Sequence, residues 1–252
     1  MASPLLRPIT SPQSYWQTSR THRYSLLFAL PLLALYEVLA VVLPHDPRGG
    51  VRNGADVLLR AAFYAVGGSH GGMLFGVCLI GGSLWLVGRD IRARGFPTRV
   101  RVFAGMALEA ALLALAFGFV VGAITARLLG LLAAGASDGV AAMPLATRLM
   151  VSLGAGLYEE LLFRVILVAA IGQLCRRVFG AGPLLAGTIA VLVGATLFSA
   201  FHYVGAYGDP LELGSFVFRL IAGIFFSALY LLRGFGITAW THALYDIYLL
   251  TG

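Results

Sequence analysis

Tyr158-Glu159-Glu160-Leu161-Leu162-Phe163-Arg164 sits in the middle of an apolar run from Leu149 to Cys175. Three charged side chains in a segment otherwise suited to lipid decide how the chain is read. A bilayer-spanning helix needs roughly 20 mostly apolar residues to cross a hydrocarbon core about 30 Å thick. Ionisable groups inside such a helix are costly and mark function. The rest of the chain is suited to the same solvent. Of 252 residues 59% are hydrophobic and 12% charged, with mean hydropathy +0.88, whereas soluble domains carry about 25% charged residues.

Working outward, further spans are predicted at Tyr24–Pro44, Met73–Val87, Phe103–Ala134, Pro183–Val204, Ser215–Leu232 and Gly236–Leu250, which makes seven. The first is too long for a signal-peptide core and is followed by no small-residue cleavage site. Residues 56–67 are amphipathic, carry Arg60 and are too short to span, which predicts an interfacial or re-entrant helix. The expectation is an all-α polytopic membrane protein of about seven transmembrane helices plus that short helix. It divides into a tail at 1–22, N-terminal transmembrane helices at 23–135 and a helical core at 145–252. No soluble domain or internal repeat is visible.

The net charge is +7, and all 18 basic residues are arginine. They fall in short loops rather than on one face, which speaks for topology and against nucleic acid. Arg7, Arg20 and Arg23 precede or open the first span. Arg89, Arg92, Arg94, Arg99 and Arg101 follow the second, Arg176 and Arg177 the fourth, and Arg233 the sixth. The alternate loops, with Asp138 and with Asp209 and Glu212, are poor in arginine; only Arg48 and Arg52 run against the trend. This pattern puts the N-terminus in the cytoplasm and the C-terminus outside. Arginine-only usage with abundant Ala, Gly and Leu points to a bacterial source and hence a bacterial inner membrane. Cys78 and Cys175 lie in separate segments with no metal-ligand spacing, so no disulfide framework is expected.

Three groupings carry chemistry. Glu160 and Arg164, four apart, share a helix face and suit an ion pair. Glu159, about 100° round an α-helix from Glu160, has no local cation, and a carboxylate in apolar surroundings is a stronger base than one in water. That fits a general base for water. Phe198-Ser199-Ala200-Phe201-His202 ends the fifth span; taken alone, its histidine is an ordinary interfacial residue. His242 and Asp246, four apart in the seventh span, act on one point. They suit oxyanion stabilisation, metal ligation or plain helix stapling.

Taken in order, E-E-x-x-x-R, F-x-x-x-H and H-x-x-x-D resemble the CAAX-protease and bacteriocin-processing family of intramembrane endopeptidases, over about residues 145–250. The resemblance implies a CAAX-protease-like core bundle that hydrolyses peptide bonds. It implies that Glu159 and His202 activate water, that His242 and Asp246 steady the oxyanion, and that Glu160 and Arg164 support them. A divalent metal such as zinc on Glu159, His202, His242 and Asp246 stays open, although no H-E-x-x-H is present. Asp246 stands where the family pattern allows asparagine or aspartate, and helps an oxyanion only when protonated.

Glu159 falls about 16 Å along its helix from Arg148, and His202 near the outer end of its span. The site is therefore expected to open outward. That suits a membrane-anchored tail or leader of an exported protein, as in the bacterial myxosortases that part of the family resembles. The implied partners are the lipid bilayer and a membrane-anchored protein or peptide. Two rivals remain, a non-catalytic scaffold or immunity factor on the same fold and a proton-coupled transporter. Glu37, inside the first span, needs a cation, with Arg60 or Arg219 as candidates; Asn53-Gly54-Ala55-Asp56 leads to that Arg60.

Overall fold

The computed structural model describes residues 15–43, 51–95, 98–129, 143–205 and 208–251. Most of the tail, with Arg7, and also Arg48, Asp138 and the predicted end of the third span at 130–134 lie outside those residues. All described secondary structure is helical. The helices are α1 (Tyr15–Ser19), α2 (His22–Val42), α3 (Gly54–Gly67), α4 (Gly71–Arg94) and α5 (Val100–Leu129). Then come α6, which runs on through Leu145–Gly154, Ala155–Val168 and Ala169–Arg177, α7 (Pro183–Phe201), α8 (Leu213–Arg233) and α9 (Phe235–Thr251). A helix therefore stands at each predicted span.

Five helical stretches are long and apolar enough to cross a membrane: α2, residues 54–93, α5, α7 and α8. The charged residues of the motifs lie on α6 and α9, and α9 has 17 residues. Outward-facing Leu30, Val38, Leu112, Phe119 and Leu184 are exposed, which is the arrangement lipid requires and water penalises.

The short helix α3 turns sharply at Gly68, whose φ of +52° suits glycine. It then packs back on α4, with Phe63 and Phe75 ring centroids 5.4 Å apart. Three apolar clusters hold the bundle. Leu32, Tyr36, Leu157 and Tyr158 pack with Ala239 and Ala243 where α2, α6 and α9 meet. Phe117, Phe163, Phe198 and Phe226 join α5, α6, α7 and α8. Tyr24, Phe28, Met106 and Ile237 close α2, α5 and α9.

Two glycines of α6 allow its close neighbours. A Cβ on Gly156 would lie 2.3 Å from the Ala239 carbonyl oxygen, and one on Gly154 would lie 2.7 Å from Asn53 Cβ. Small residues let helix backbones approach in this way in membranes. One expectation is corrected here. The segment Ala155–Val168 is a π-helix rather than an α-helix, so the 100° step between Glu159 and Glu160 does not hold. The wider i→i+5 turn is a feature that gathers at functional sites.

Candidate active site

The middle of α6 delivers two adjacent carboxylates to different neighbours. Glu160 Oε1 lies 3.2 Å from Arg164 Nη1, so the predicted pair forms. The same oxygen lies 2.7 Å from His242 Nδ1 on α9, a contact that the spacing alone did not show. Arg164 is 1% exposed, and its guanidinium lies 4.3 Å from the Phe198 ring centroid. A buried cation of this kind needs both its carboxylate and its aromatic face.

Glu159 is held differently. Its Oε1 accepts a hydrogen bond from Asn53 Nδ2 at 2.8 Å. Its Oε2 accepts none among the described residues and lies 3.9 Å from His202 Nε2. His202 caps the end of α7, where the chain leaves the helix, and its Nδ1 lies 2.8 Å from the Phe198 carbonyl oxygen. A carbonyl can only accept, so Nδ1 carries the proton and Nε2 presents a lone pair in the neutral ring.

His242 Nε2 lies 3.7 Å from Asp246 Oδ2, and the His242 ring stacks on Phe226 with centroids 4.4 Å apart. Glu159, His202, His242 and Asp246 line one cavity of about 200 Å³. Glu160 and Arg164 stand behind its wall. A larger, mostly apolar cavity of about 570 Å³ between α2, α4 and α6 touches none of these six residues. No three His, Cys, Asp or Glu side chains among the described residues converge in a way that could hold a metal ion. His202 and His242 each have one ring nitrogen committed, to Phe198 and to Glu160.

The spacing had put the whole site within residues 145–250. Asn53, more than a hundred residues upstream, reaches Glu159 all the same. The sequence offered one signal for it: an N-cap residue type opening a helix that carries Asp56 and Arg60. Glu37 does pair with Arg60, 2.7 Å away, and also with Arg52 at 3.0 Å. The alternative partner is corrected: Arg219 pairs instead with Asp209, ten residues back across the loop before α8. Arg219 lines the active cavity, and its Nη1 has no hydrogen-bond acceptor among the described residues.

Residues 141–248 match the family model for Rce1-like, type II CAAX prenyl endopeptidase. The chain belongs to the CAAX-protease family. No curated protein and no solved structure matches it. Membership in the CAAX-protease family, together with the five apolar helices, makes it an integral membrane protein and a CAAX-type intramembrane protease. The family match covers α6 to α9 and excludes Asn53.

Proposed function

We propose that the core at 145–252 hydrolyses a peptide bond in a membrane-associated protein tail or leader, with Glu159 as the general base. The observation that carries this reading is the gap between Glu159 Oε2 and His202 Nε2, 3.9 Å wide and facing the cavity. A water about 2.8 Å from both atoms subtends close to 90° at its oxygen, so it can give one proton to each acceptor.

Glu159 takes a proton as that water attacks the scissile carbonyl carbon. His242 donates to the resulting oxyanion from Nε2. With Nδ1–H given to Glu160, Nε2 is a donor only in the imidazolium form. Three carboxylates (Glu159, Glu160 and Asp246) face a single nearby guanidinium, Arg164, and an imidazolium reduces that imbalance. Asp246 sits beside Nε2 and holds the ring toward the cavity. Glu159 then passes its proton to the leaving nitrogen, the C–N bond breaks, and a carboxylic acid and an amine leave. Glu160 and Arg164 keep His242 in place. No step here runs through a metal, since the side chains do not converge on one point.

Arg219 contributes a free N–H for a carbonyl or carboxylate group of the substrate. The arginine pattern supports a bacterial inner membrane with the N-terminus cytoplasmic and the cavity opening outward. The helices at 23–135 then serve as a surround for the core, and 1–22 as a cytoplasmic tail. An outward opening favours the sorting tail of an exported protein, the substrate class of a myxosortase type.

The test uses the purified chain in proteoliposomes with a membrane-anchored tail peptide and product detection by mass spectrometry. Cleavage by the wild type, with and without chelator, and none by Glu159→Ala is expected. Equal cleavage by both proteins removes Glu159 from catalysis, and loss on chelation assigns the chemistry to a metal.

A further inference from the structure

Asn53 stands immediately before α3, on a part of the chain that the family match does not cover. Its side chain is buried and does two things at once. Oδ1 accepts the Ala55 backbone N–H at 2.9 Å, capping α3. An amide has one oxygen and one nitrogen, so the cap settles which end faces α6: the Nδ2 donor, 2.8 Å from Glu159 Oε1.

The anchor behind Asn53 is itself rigid. Its backbone N–H donates to Tyr36 Oη at 3.1 Å, and Tyr36 Oη donates to Asp56 Oδ2 at 2.8 Å. Buried Asp56 is held by Arg52 Nη1 at 2.5 Å and Arg60 Nε at 2.6 Å. Both arginines also hold Glu37, which accepts from Tyr158 Oη at 2.8 Å. Two carboxylates and two guanidiniums balance in charge, and they tie α2, α3 and the residue next to Glu159 into one frame.

We infer that Asn53 is a positioning residue for Glu159. The inference rests on the reading of Glu159 as the base. A carboxylate rotates about its last side-chain bond unless one oxygen is held. With Oε1 held by a charge-assisted hydrogen bond, Oε2 stays turned to His202 and the water between them. The neutral donor also adds no charge that would compete for the proton.

The cap and the Glu159 contact are separable by substitution. Serine caps a helix about as well as asparagine but has no N–H to offer Glu159. Aspartate caps equally well and sets a second carboxylate against the first. With the full chain in proteoliposomes, Asn53→Ser is expected to lower kcat by roughly tenfold or more, with KM within about twofold and the melting temperature unchanged. For Asn53→Asp the acid limb of the pH–rate profile is expected to move to higher pH, because two adjacent carboxylates share a proton.

Wild-type kcat and an unmoved profile in both variants, with Glu159→Gln inactive, would reduce Asn53 to a helix cap and overturn the inference. Full activity of Glu159→Gln would instead remove the reading of Glu159 on which it rests. If Asn53→Ser loses kcat and melting temperature together while Asn53→Asp keeps the wild-type profile, the contact is structural and the inference also fails.

Discussion

Glu160 Oε1 lies 2.7 Å from His242 Nδ1 and 3.2 Å from Arg164 Nη1, so one carboxylate oxygen links α6 to α9 and neutralises a guanidinium out of water. Removing one member of a buried pair leaves the other uncompensated, at about 3–5 kcal/mol. Glu160→Ala is expected to lower the melting temperature in detergent sharply and to abolish cleavage. Glu159→Ala is expected to abolish cleavage with little thermal cost, because its Oε2 has no hydrogen bond to lose. Thermal denaturation of the two variants side by side checks this, and a larger loss for Glu159→Ala contradicts it.

Gly154 makes room for α3. A Cβ there meets Tyr36 Cε2 at 2.5 Å and Asn53 Cβ at 2.7 Å, and overpacking of this kind costs about 1–3 kcal/mol. Gly154→Ala is expected to reduce both stability and activity by pushing α3 off α6. Gly187, inside α7, has nothing within 4 Å of its would-be Cβ. Gly187→Ala is expected to be neutral or to stabilise the helix by up to about 1 kcal/mol. Equal behaviour of the two variants in melting and turnover argues against the close approach.

Arg219 presents an unused N–H at the cavity while Asp209 holds its other nitrogen. A contact made equally with bound substrate and transition state raises KM when lost and leaves kcat alone. Arg219→Ala is expected to raise KM roughly tenfold, and Arg219→Lys to restore it only in part because the planar fork is missing. A fall in kcat at constant KM in steady-state assays would place Arg219 in the chemical step instead.

The outward opening is tested by accessibility labelling in a Cys78→Ser, Cys175→Ser background. Gly208 is a poor probe position, since a Cβ there meets the Tyr203 backbone at 2.8 Å. Leu211, in the same loop and 73% exposed, is better. Leu211→Cys is expected to react with an impermeant reagent in intact cells, and Arg92→Cys only after the membrane is opened. The reverse pattern inverts the topology and turns the site to the cytoplasm.

Much of the site was legible before any contact was known, and the physical reason is locality. Apolar runs announce helices in lipid. Residues four apart tend to meet whatever the rest of the chain does, so Glu160 with Arg164 and His242 with Asp246 could be read directly. Arg60 beside Glu37 followed from the cost of a lone charge in a span. The choice between Arg60 and Arg219 did not, because it depends on where α3 and α8 lie.

The sequence by itself therefore determined that charged groups sit in lipid-soluble helices, and which of them pair along a helix. Tertiary structure alone decided what each carboxylate faces across helices: Glu160 turns to His242, and Glu159 to Asn53 and His202. Those contacts depend on how far each helix is rotated and how closely it approaches its neighbour. The π-type turns of α6 and the bare Cα atoms of Gly154 and Gly156 set both. No periodicity along one helix carries that information, because it belongs to the packing of all of them.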